Sequence, residues 1–165
     1  MVRVRGGTVA PVRLELTRRG DYAVRTMLAL AARSSDPEWL SARRIAEEMA
    51  IPARFLPHVL RDLVRAGLVE GRTGRLGGYR LARGATFIPL LEVVEAVEGA
   101  EGPAVCVLRG GPCRWDGRCA VHEVFAGARE AVRERLATTS LADVPLSGGL
   151  GAATSKVFGT RSTGG

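Results

Sequence analysis

The most constraining feature of the sequence is a pair of short amphipathic segments on either side of the dipeptide Ile51–Pro52. Ser41 is placed to cap the first segment, ARRIAEEMA, in which Ile45 and Met49 share one face at a spacing of four residues. The second segment ends at Gly67, a residue suited to the left-handed position that follows a helix. Its apolar face comprises Phe55, Leu56, Val59, Leu60, Leu63 and Val64. Two helices joined by a tight turn, the second of them amphipathic, are typical of a helix-turn-helix unit.

A β-hairpin is predicted directly after this unit. The apolar stretches Leu68–Val69 and Tyr79–Leu81 flank a turn rich in glycine and arginine, and such a turn favours a hairpin. A basic hairpin in this position is typical of the wing of a winged helix-turn-helix domain, although a solvated surface hairpin is the alternative. The residues predicted to contact DNA are Arg43, Arg54, His58, Arg61, Arg72, Arg75 and Arg80. Pro57 fits the third helix only in or near its first turn, where backbone N–H groups lack partners.

The net charge of +7 over 165 residues favours a polyanionic partner. Lys156 is the only lysine, so an arginine-rich composition that follows from GC-rich coding is an alternative source of this charge. No apolar run approaches the roughly 20 residues of a membrane span, and the N-terminus lacks the apolar centre of a secretory signal. The sequence therefore predicts a cytoplasmic protein that binds double-stranded DNA and no membrane.

Three further helices are predicted outside the helix-turn-helix. The first begins after Thr17 as its cap, and another runs from Pro89 to Gly99. The last helix carries an apolar stripe of Val121, Phe125, Ala128, Val132 and Leu136. A stripe of this length outside the winged domain favours a dimerisation helix, with a second copy of the chain as partner. Packing of the stripe on its own subunit is the alternative.

All three cysteines lie in one glycine-rich stretch, at Cys106, Cys113 and Cys119, and His122 follows three residues after the last of them. An odd number of cysteines disfavours a disulfide framework. Three thiolates and an imidazole are candidate ligands of a soft metal. Their spacing is wider than that of most structural zinc sites and is compatible with an iron–sulfur cluster. Iron–sulfur, zinc and no metal all stay open on the residues alone.

Three stretches together carry a family resemblance: LTRRGDYAVRTMLALA, IPARFLPHVLRDLVRAGLVEGRTGRLGGYRLAR and LLEVVEAVEG, followed by the spaced cysteines. Over about residues 14 to 144 they resemble the Rrf/BadM family of winged-helix regulators. The resemblance implies a homodimer that binds a palindromic operator, with a cluster held between the cysteine loop and the partner's first helix.

The resemblance leaves the cluster type open between 2Fe–2S and 4Fe–4S. Cys106, Cys113, Cys119 and His122 resemble the ligand set of the IscR branch, which carries a 2Fe–2S cluster, although the first gap is one residue longer here. Asp21 falls where the NsrR branch supplies a carboxylate from the other subunit to a 4Fe–4S cluster. Asp21 in trans is the favoured fourth ligand and His122 in cis is the alternative. The presence of Asp21 at this position can also be explained without a metal, because a carboxylate in the first turn of a helix interacts favourably with the helix dipole.

The sequence predicts a mainly α-helical fold with a small β-hairpin, organised as a winged helix-turn-helix domain and a long C-terminal dimerisation helix. The predicted segments are a disordered or misassigned arm at 1–13, the winged domain at 14–100, the cysteine loop at 101–119, the dimerisation helix and its end at 120–144, and a disordered tail at 145–165. No nucleophile with an adjacent base is evident, so an enzyme is not expected. The predicted function is a DNA-binding regulator controlled by an iron–sulfur cluster. The competing interpretations are a cluster-free regulator, whose cysteines bind zinc or sense thiol oxidation, and an electron carrier.

Overall fold

A computed structural model describes residues 16–33, 39–99 and 120–145. Its α-helices and strands in chain order are α1 (Arg18–Ala31), α2 (Ala42–Glu48), α3 (Leu56–Arg65), β1 (Val69–Arg72), β2 (Gly78–Leu81), α4 (Leu90–Glu98) and α5 (Ala120–Thr138), with short 3-10 helices at Ala85–Phe87 and Leu141–Asp143. The predicted arm at 1–13, most of the predicted tail and all three cysteines lie outside the described residues. No helix in the described ranges is long and apolar enough to cross a membrane.

The core forms around α1, against which α3 and α4 pack. The Thr17 side chain caps α1 by accepting a hydrogen bond from the Gly20 amide, as the sequence predicts. Met27 on α1 is fully buried, together with Leu63 on α3 and Val93 on α4. Burial of these side chains is the main term that holds the three helices together.

The helix-turn-helix forms where it is predicted. Ser41 accepts a hydrogen bond from the Arg44 amide at the start of α2. The turn after α2 passes through Ala50 at a positive φ of 50° and places Ile51 in the core at 3 % exposure. α3 ends before Gly67, whose φ of 71° matches its predicted role as the residue after the helix.

The structure defines the first turn of α3 and the edges of its buried face. Pro57 lies in the first turn, where it displaces no hydrogen bond of the helix. Phe55 precedes the helix as its N-cap residue and Val64 lies at the edge of the apolar arc, so both stay exposed, by 36 % and 40 %. The buried face of α3 is therefore narrower than the apolar pattern predicts.

The predicted hairpin is present as the antiparallel pair β1–β2, with Val69 opposite Leu81 and Arg72 opposite Gly78. We call residues 69–81 the wing. Leu40, just before α2, exchanges two backbone hydrogen bonds with Tyr79 of β2. This bridge ties the outer strand of the wing to the entry of the helix-turn-helix.

The chain after α5 returns to the winged domain. Leu141 donates a backbone hydrogen bond to Ile88, and its side chain is 1 % exposed in the core. The Leu90 amide donates to the Thr139 carbonyl, which fixes the start of α4 against the same segment. α5 is therefore anchored at its C-terminal end, by residues that the sequence pattern assigned to the end of a dimerisation helix.

An ion pair between Arg19 and Asp62 links the start of α1 to α3. The hydrogen bond from Arg19 lowers the pKa of the Asp62 carboxyl, and the charges of Arg19, Arg61 and Arg65 act in the same direction, against the opposing effect of burial. A lowered folded-state pKa stabilises the fold only while the carboxylate is charged. This contribution is complete above about pH 3.9, the pKa of a carboxyl in an unfolded chain, and is lost as the pH falls further.

We expect Asp62→Asn to lower the free energy of unfolding at pH 7 by about 1 to 3 kcal/mol, the range for loss of a charged hydrogen-bond partner. The difference from the parent should stay constant from pH 7 down to about pH 4 and shrink as the pH falls further, because the lowered pKa of Asp62 delays its protonation in the folded state. Urea unfolding of both proteins across this range measures the effect. Parallel acid profiles for the two proteins would contradict the role assigned to this ion pair.

Candidate DNA-binding surface

The exposed face of α3 carries its basic side chains. His58 and Arg61 lie one turn apart, and the Arg61 guanidinium lies 3.3 Å from the His58 Nδ1 atom. Arg54, just before the helix, stacks over the Phe55 ring with its guanidinium carbon 4.8 Å from the centroid. Arg65 lies on the same face and makes a long ion pair, at 3.9 Å, with Asp62. These side chains form a basic face on the exposed side of α3, the side that a helix can present to a major groove.

The arginines of α2 are arranged differently. Arg43 pairs with Glu47 at 2.8 Å, and Arg44 pairs with Glu48 at 2.9 Å, both at a spacing of four residues. The hydrogen bond from Arg43 to Glu47 raises the pKa of that guanidinium. Because its charge is already matched, Arg43 adds less net positive charge to a DNA-binding surface than Arg54 or Arg61 does.

Trp39 organises the arginines of the wing, and the sequence patterns did not single it out. The guanidinium carbons of Arg72 and Arg80 lie 5.0 Å and 4.6 Å from the centroid of its ring. Arg72 also donates to the Leu76 carbonyl at 2.8 Å, and Arg80 pairs with Glu70 at 2.8 Å. A tryptophan face attracts cations, so the indole holds one arginine from each strand in place. Its signal in the sequence would have been an aromatic residue next to Leu40, the residue that bridges to the wing.

Gly78 allows the close approach of the wing to residue 40. A Cβ atom at Gly78 would lie 2.7 Å from the Leu40 carbonyl oxygen, a distance that real Cβ contacts do not reach. At the tip, Arg75 is exposed and Leu76 is 78 % exposed. The wing thus has an anchored base and an open, basic tip.

The two candidate fourth ligands of a metal lie in different settings. Asp21 on α1 accepts two hydrogen bonds from Arg25, one of them at 2.8 Å from Nε. The Arg25 side chain is 5 % exposed and also donates to the Met49 carbonyl at the end of α2. His122 lies in the first turn of α5 and is half-buried. Within residues 16–33, 39–99 and 120–145, no three metal-binding side chains come together.

The predicted stripe on α5 lies on one face of the helix but is covered unevenly along its length. Val121, Val132 and Leu136 are half-buried, and Phe125 and Ala128 are exposed. Val124, which the stripe omits, is 70 % exposed. α5 packs against α4, where Arg133 pairs with Glu95 at 2.9 Å. An apolar arc that includes Val124, Phe125 and Ala128 therefore stays open in one subunit.

Comparison with known proteins identifies the family. A family model described as "Rrf2: Iron-dependent Transcriptional regulator" matches residues 16–145. The chain belongs to the Rrf2 family. Membership confirms the predicted resemblance and the winged-helix fold, and it makes the protein a transcriptional regulator of a DNA-binding family and not an enzyme.

Individual relatives of this Rrf2-family chain agree with this assignment. The protein rrf2 of Nitratidesulfovibrio vulgaris is 32 % identical over 131 residues, which are 79 % of this chain and 87 % of that protein. The regulator IscR of Xenorhabdus nematophila is 30 % identical over 131 residues, 79 % of each chain. The solved structure of CymR, described as the global cysteine regulator of B. subtilis, superposes with a TM-score of 0.66 at 27 % identity and covers 79 % of this chain and 95 % of that one.

Proposed function

We propose that this Rrf2-family regulator acts in the cytoplasm as a homodimeric repressor, whose occupancy of a palindromic operator depends on an iron–sulfur cluster. The observation that carries the DNA-binding part is the basic face of α3 beside the wing, where Trp39 holds Arg72 and Arg80. α3 would enter the major groove, and the wing would contact phosphates or the minor groove. Arg54, His58 and Arg61 are the proposed contacts from the helix, Arg72, Arg75 and Arg80 those from the wing, and Arg43 a weaker contact.

The open apolar arc of α5 supports a dimer. Phe125 at 41 % and Val124 at 70 % exposure would be covered by the same surface of a second copy in a two-fold symmetric interface. Ala128 between them lets the two helices approach closely, and the half-buried Val121, Val132 and Leu136 extend the interface. A dimer places two α3 helices on the two halves of a palindrome.

The donor set fits an iron–sulfur cluster. Cys106, Cys113 and Cys119 would supply three thiolates, and Asp21 of the partner subunit or His122 of the same subunit the fourth ligand. The third-exposed Asp21 carboxylate is accessible to such a group, although Arg25 occupies it in the single chain. A bound cluster supplies a centre that changes with oxidation, with nitric oxide or with loss of iron.

The side chains of α1 offer a route from that centre to the DNA-binding surface. Arg25 joins Asp21 on α1 to the carbonyl of Met49, the C-cap residue of α2, which directly precedes Ala50 in the turn of the helix-turn-helix. When the Asp21 carboxylate is engaged elsewhere, Arg25 keeps only one of these two partners. We propose that the resulting change in the α1–α2 contact alters the spacing of the two α3 helices in the dimer.

The test compares DNA binding by protein purified without oxygen, before and after removal of iron with a chelator. Duplexes selected by the protein from a random pool serve as the operator probe, and fluorescence anisotropy gives Kd. We expect a brown protein that contains iron and acid-labile sulfide, and a change in Kd of at least about tenfold, or 1.4 kcal/mol, on loss of iron.

Two outcomes would contradict different parts of the proposal. A protein that selects no duplex from the pool would overturn the DNA-binding part. A colourless protein that lacks iron but still binds its duplex would overturn the cluster, and would favour the cluster-free regulator whose cysteines bind zinc or respond to thiol oxidation directly.

A further inference from the structure

A basic cleft of about 420 Å³ lies between the start of α1 and the start of α3. Its walls include Arg18, Arg19 and Tyr22 from α1, and Phe55, His58 and Arg61 from the other side. None of the predicted DNA contacts lies on α1, so the α1 wall of this cleft is outside the surface described above.

The charges around the cleft are positive and in part unmatched. Arg18 is exposed and has no ion-pair or hydrogen-bond partner among the residues that the structure describes. Asp62 holds the Arg19 guanidinium in place, and this ion pair neutralises the charge of the Asp62 carboxylate. Arg61 is oriented by its contact with His58. The cleft therefore presents guanidinium groups without a free carboxylate in its walls, which suits an anion.

The apolar part of the cleft indicates which anion it suits. The Tyr22 and Phe55 rings lie side by side with their centroids 5.8 Å apart. Phe55 is 36 % exposed, so its ring is available to an apolar surface next to the anion. A phosphate joined to deoxyribose has this character, because the sugar is less polar than the phosphate it carries.

The position of the cleft on α3 indicates the source of that phosphate. At 3.6 residues per turn, Val64 and His58 lie at opposite edges of the exposed arc of α3, with Arg61 between them. The wing lies on the Val64 edge, where a Cβ at Gly71 would be 4.0 Å from the Val64 side chain. The cleft lies on the His58 edge. A helix in the major groove runs between two phosphate backbones, so the wing and the cleft would face different strands.

We infer that this cleft binds a backbone phosphate of the operator, with Arg18 as the direct contact and Arg19 as a second donor that Asp62 positions. The inference rests on the proposed DNA-binding function and adds α1 to the DNA-binding surface. Each subunit of the dimer provides one such site. The interaction carries no base specificity, because a phosphate is the same at every position.

Arg18→Ala tests the inference, and Arg135→Ala on α5 is the control because it removes the same charge from an exposed position outside the cleft. We expect Arg18→Ala to weaken binding to the selected duplex and to an unrelated duplex by the same factor. The slope of log K against log salt should fall by about 0.9 for each phosphate that the protein no longer neutralises, hence by about 1.8 for the dimer. Equal melting temperatures of the three proteins establish that the fold is intact.

A second arm distinguishes DNA from a free anion. Inorganic phosphate is titrated against the protein–DNA complex at constant ionic strength, with chloride as the replaced anion. We expect phosphate to displace DNA at least as well from the parent as from Arg18→Ala, because it competes with the backbone phosphate for the Arg18 guanidinium. A cleft that binds inorganic phosphate in the parent, while Arg18→Ala and Arg135→Ala bind DNA with the same salt slope, would be assigned to a free anion, and this result would overturn the inference.

The outcomes separate this inference from the proposed function. If the parent binds DNA and Arg18→Ala keeps the slope of Arg135→Ala, the cleft binds no backbone phosphate and only the inference is wrong. If the parent binds no duplex, the proposed function itself is wrong. A methylphosphonate scan of the duplex gives an independent check, because neutralising the bound phosphate should remove the difference between the parent and Arg18→Ala.

Discussion

Val124→Glu is expected to convert the proposed dimer into monomers and to remove most of the affinity for a palindromic duplex. Val124 is 70 % exposed in one subunit, so the substitution leaves the fold of that subunit intact. In a two-fold symmetric interface each substitution occurs twice, and two carboxylates would be buried near each other. We expect the dimer Kd to rise at least about 100-fold, or 2.7 kcal/mol. Sedimentation equilibrium across a range of concentrations measures it.

Ala137→Glu provides the matched control. It adds the same charge to an exposed position on the same helix, away from the apolar arc that includes Val124. We expect this variant to stay dimeric and to bind DNA as the parent does. A tight dimer of Val124→Glu would place the interface elsewhere, whereas monomers of both variants would show that net charge on α5 rather than the apolar arc decides association.

Asp21→Ala is expected to destabilise the protein even without a cluster. Arg25 is 5 % exposed, and the substitution removes the carboxylate that balances its charge. Loss of one partner of a buried ion pair costs about 3 to 5 kcal/mol, and we expect the lower end because Arg25 keeps the Met49 carbonyl. Urea unfolding of the iron-free protein measures this loss. A change in the spectrum of Asp21→Ala alone therefore does not establish metal ligation.

The double variant Asp21→Ala, Arg25→Met separates the two roles. It has no unpaired buried charge, so its stability should return close to that of the parent. If Asp21 is the fourth ligand, the visible and Mössbauer spectra of the reconstituted double variant stay altered, whereas His122→Ala keeps the parent spectra. Parent spectra for the double variant, together with altered spectra for His122→Ala, would assign the ligand to His122 and favour the 2Fe–2S interpretation.

Most of the fold could be predicted because its signals are local. Thr17 and Ser41 cap helices within a few residues of themselves, and Gly67 takes the positive φ that ends α3. The hairpin follows in the same way from the glycines and arginines between two apolar stretches. Such signals need no knowledge of what lies elsewhere in the chain, which is why the helix and strand positions were predicted to within a few residues.

The arrangement within the candidate site could not be predicted because it depends on tertiary contacts. The stacking of two wing arginines on Trp39 joins residues more than thirty positions apart. The pairing of Arg43 with Glu47 is visible in the sequence only as a spacing of four residues, which does not tell whether the arginine is available to DNA. The second partner of Arg25, the Met49 carbonyl, is a backbone atom that no sequence pattern indicates.

The position of Trp39 gives the protein an intrinsic optical reporter. The chain contains two tryptophans, and the other is Trp115, which lies between Cys113 and Cys119 in the sequence. With phenylalanine at position 115, all indole emission would come from Trp39, where two guanidinium groups of the wing lie about 5 Å from the ring centre. Any movement of those cations towards phosphates changes the electric field at the indole. The emission wavelength of a single residue would thus follow the wing as it meets DNA, without an added dye.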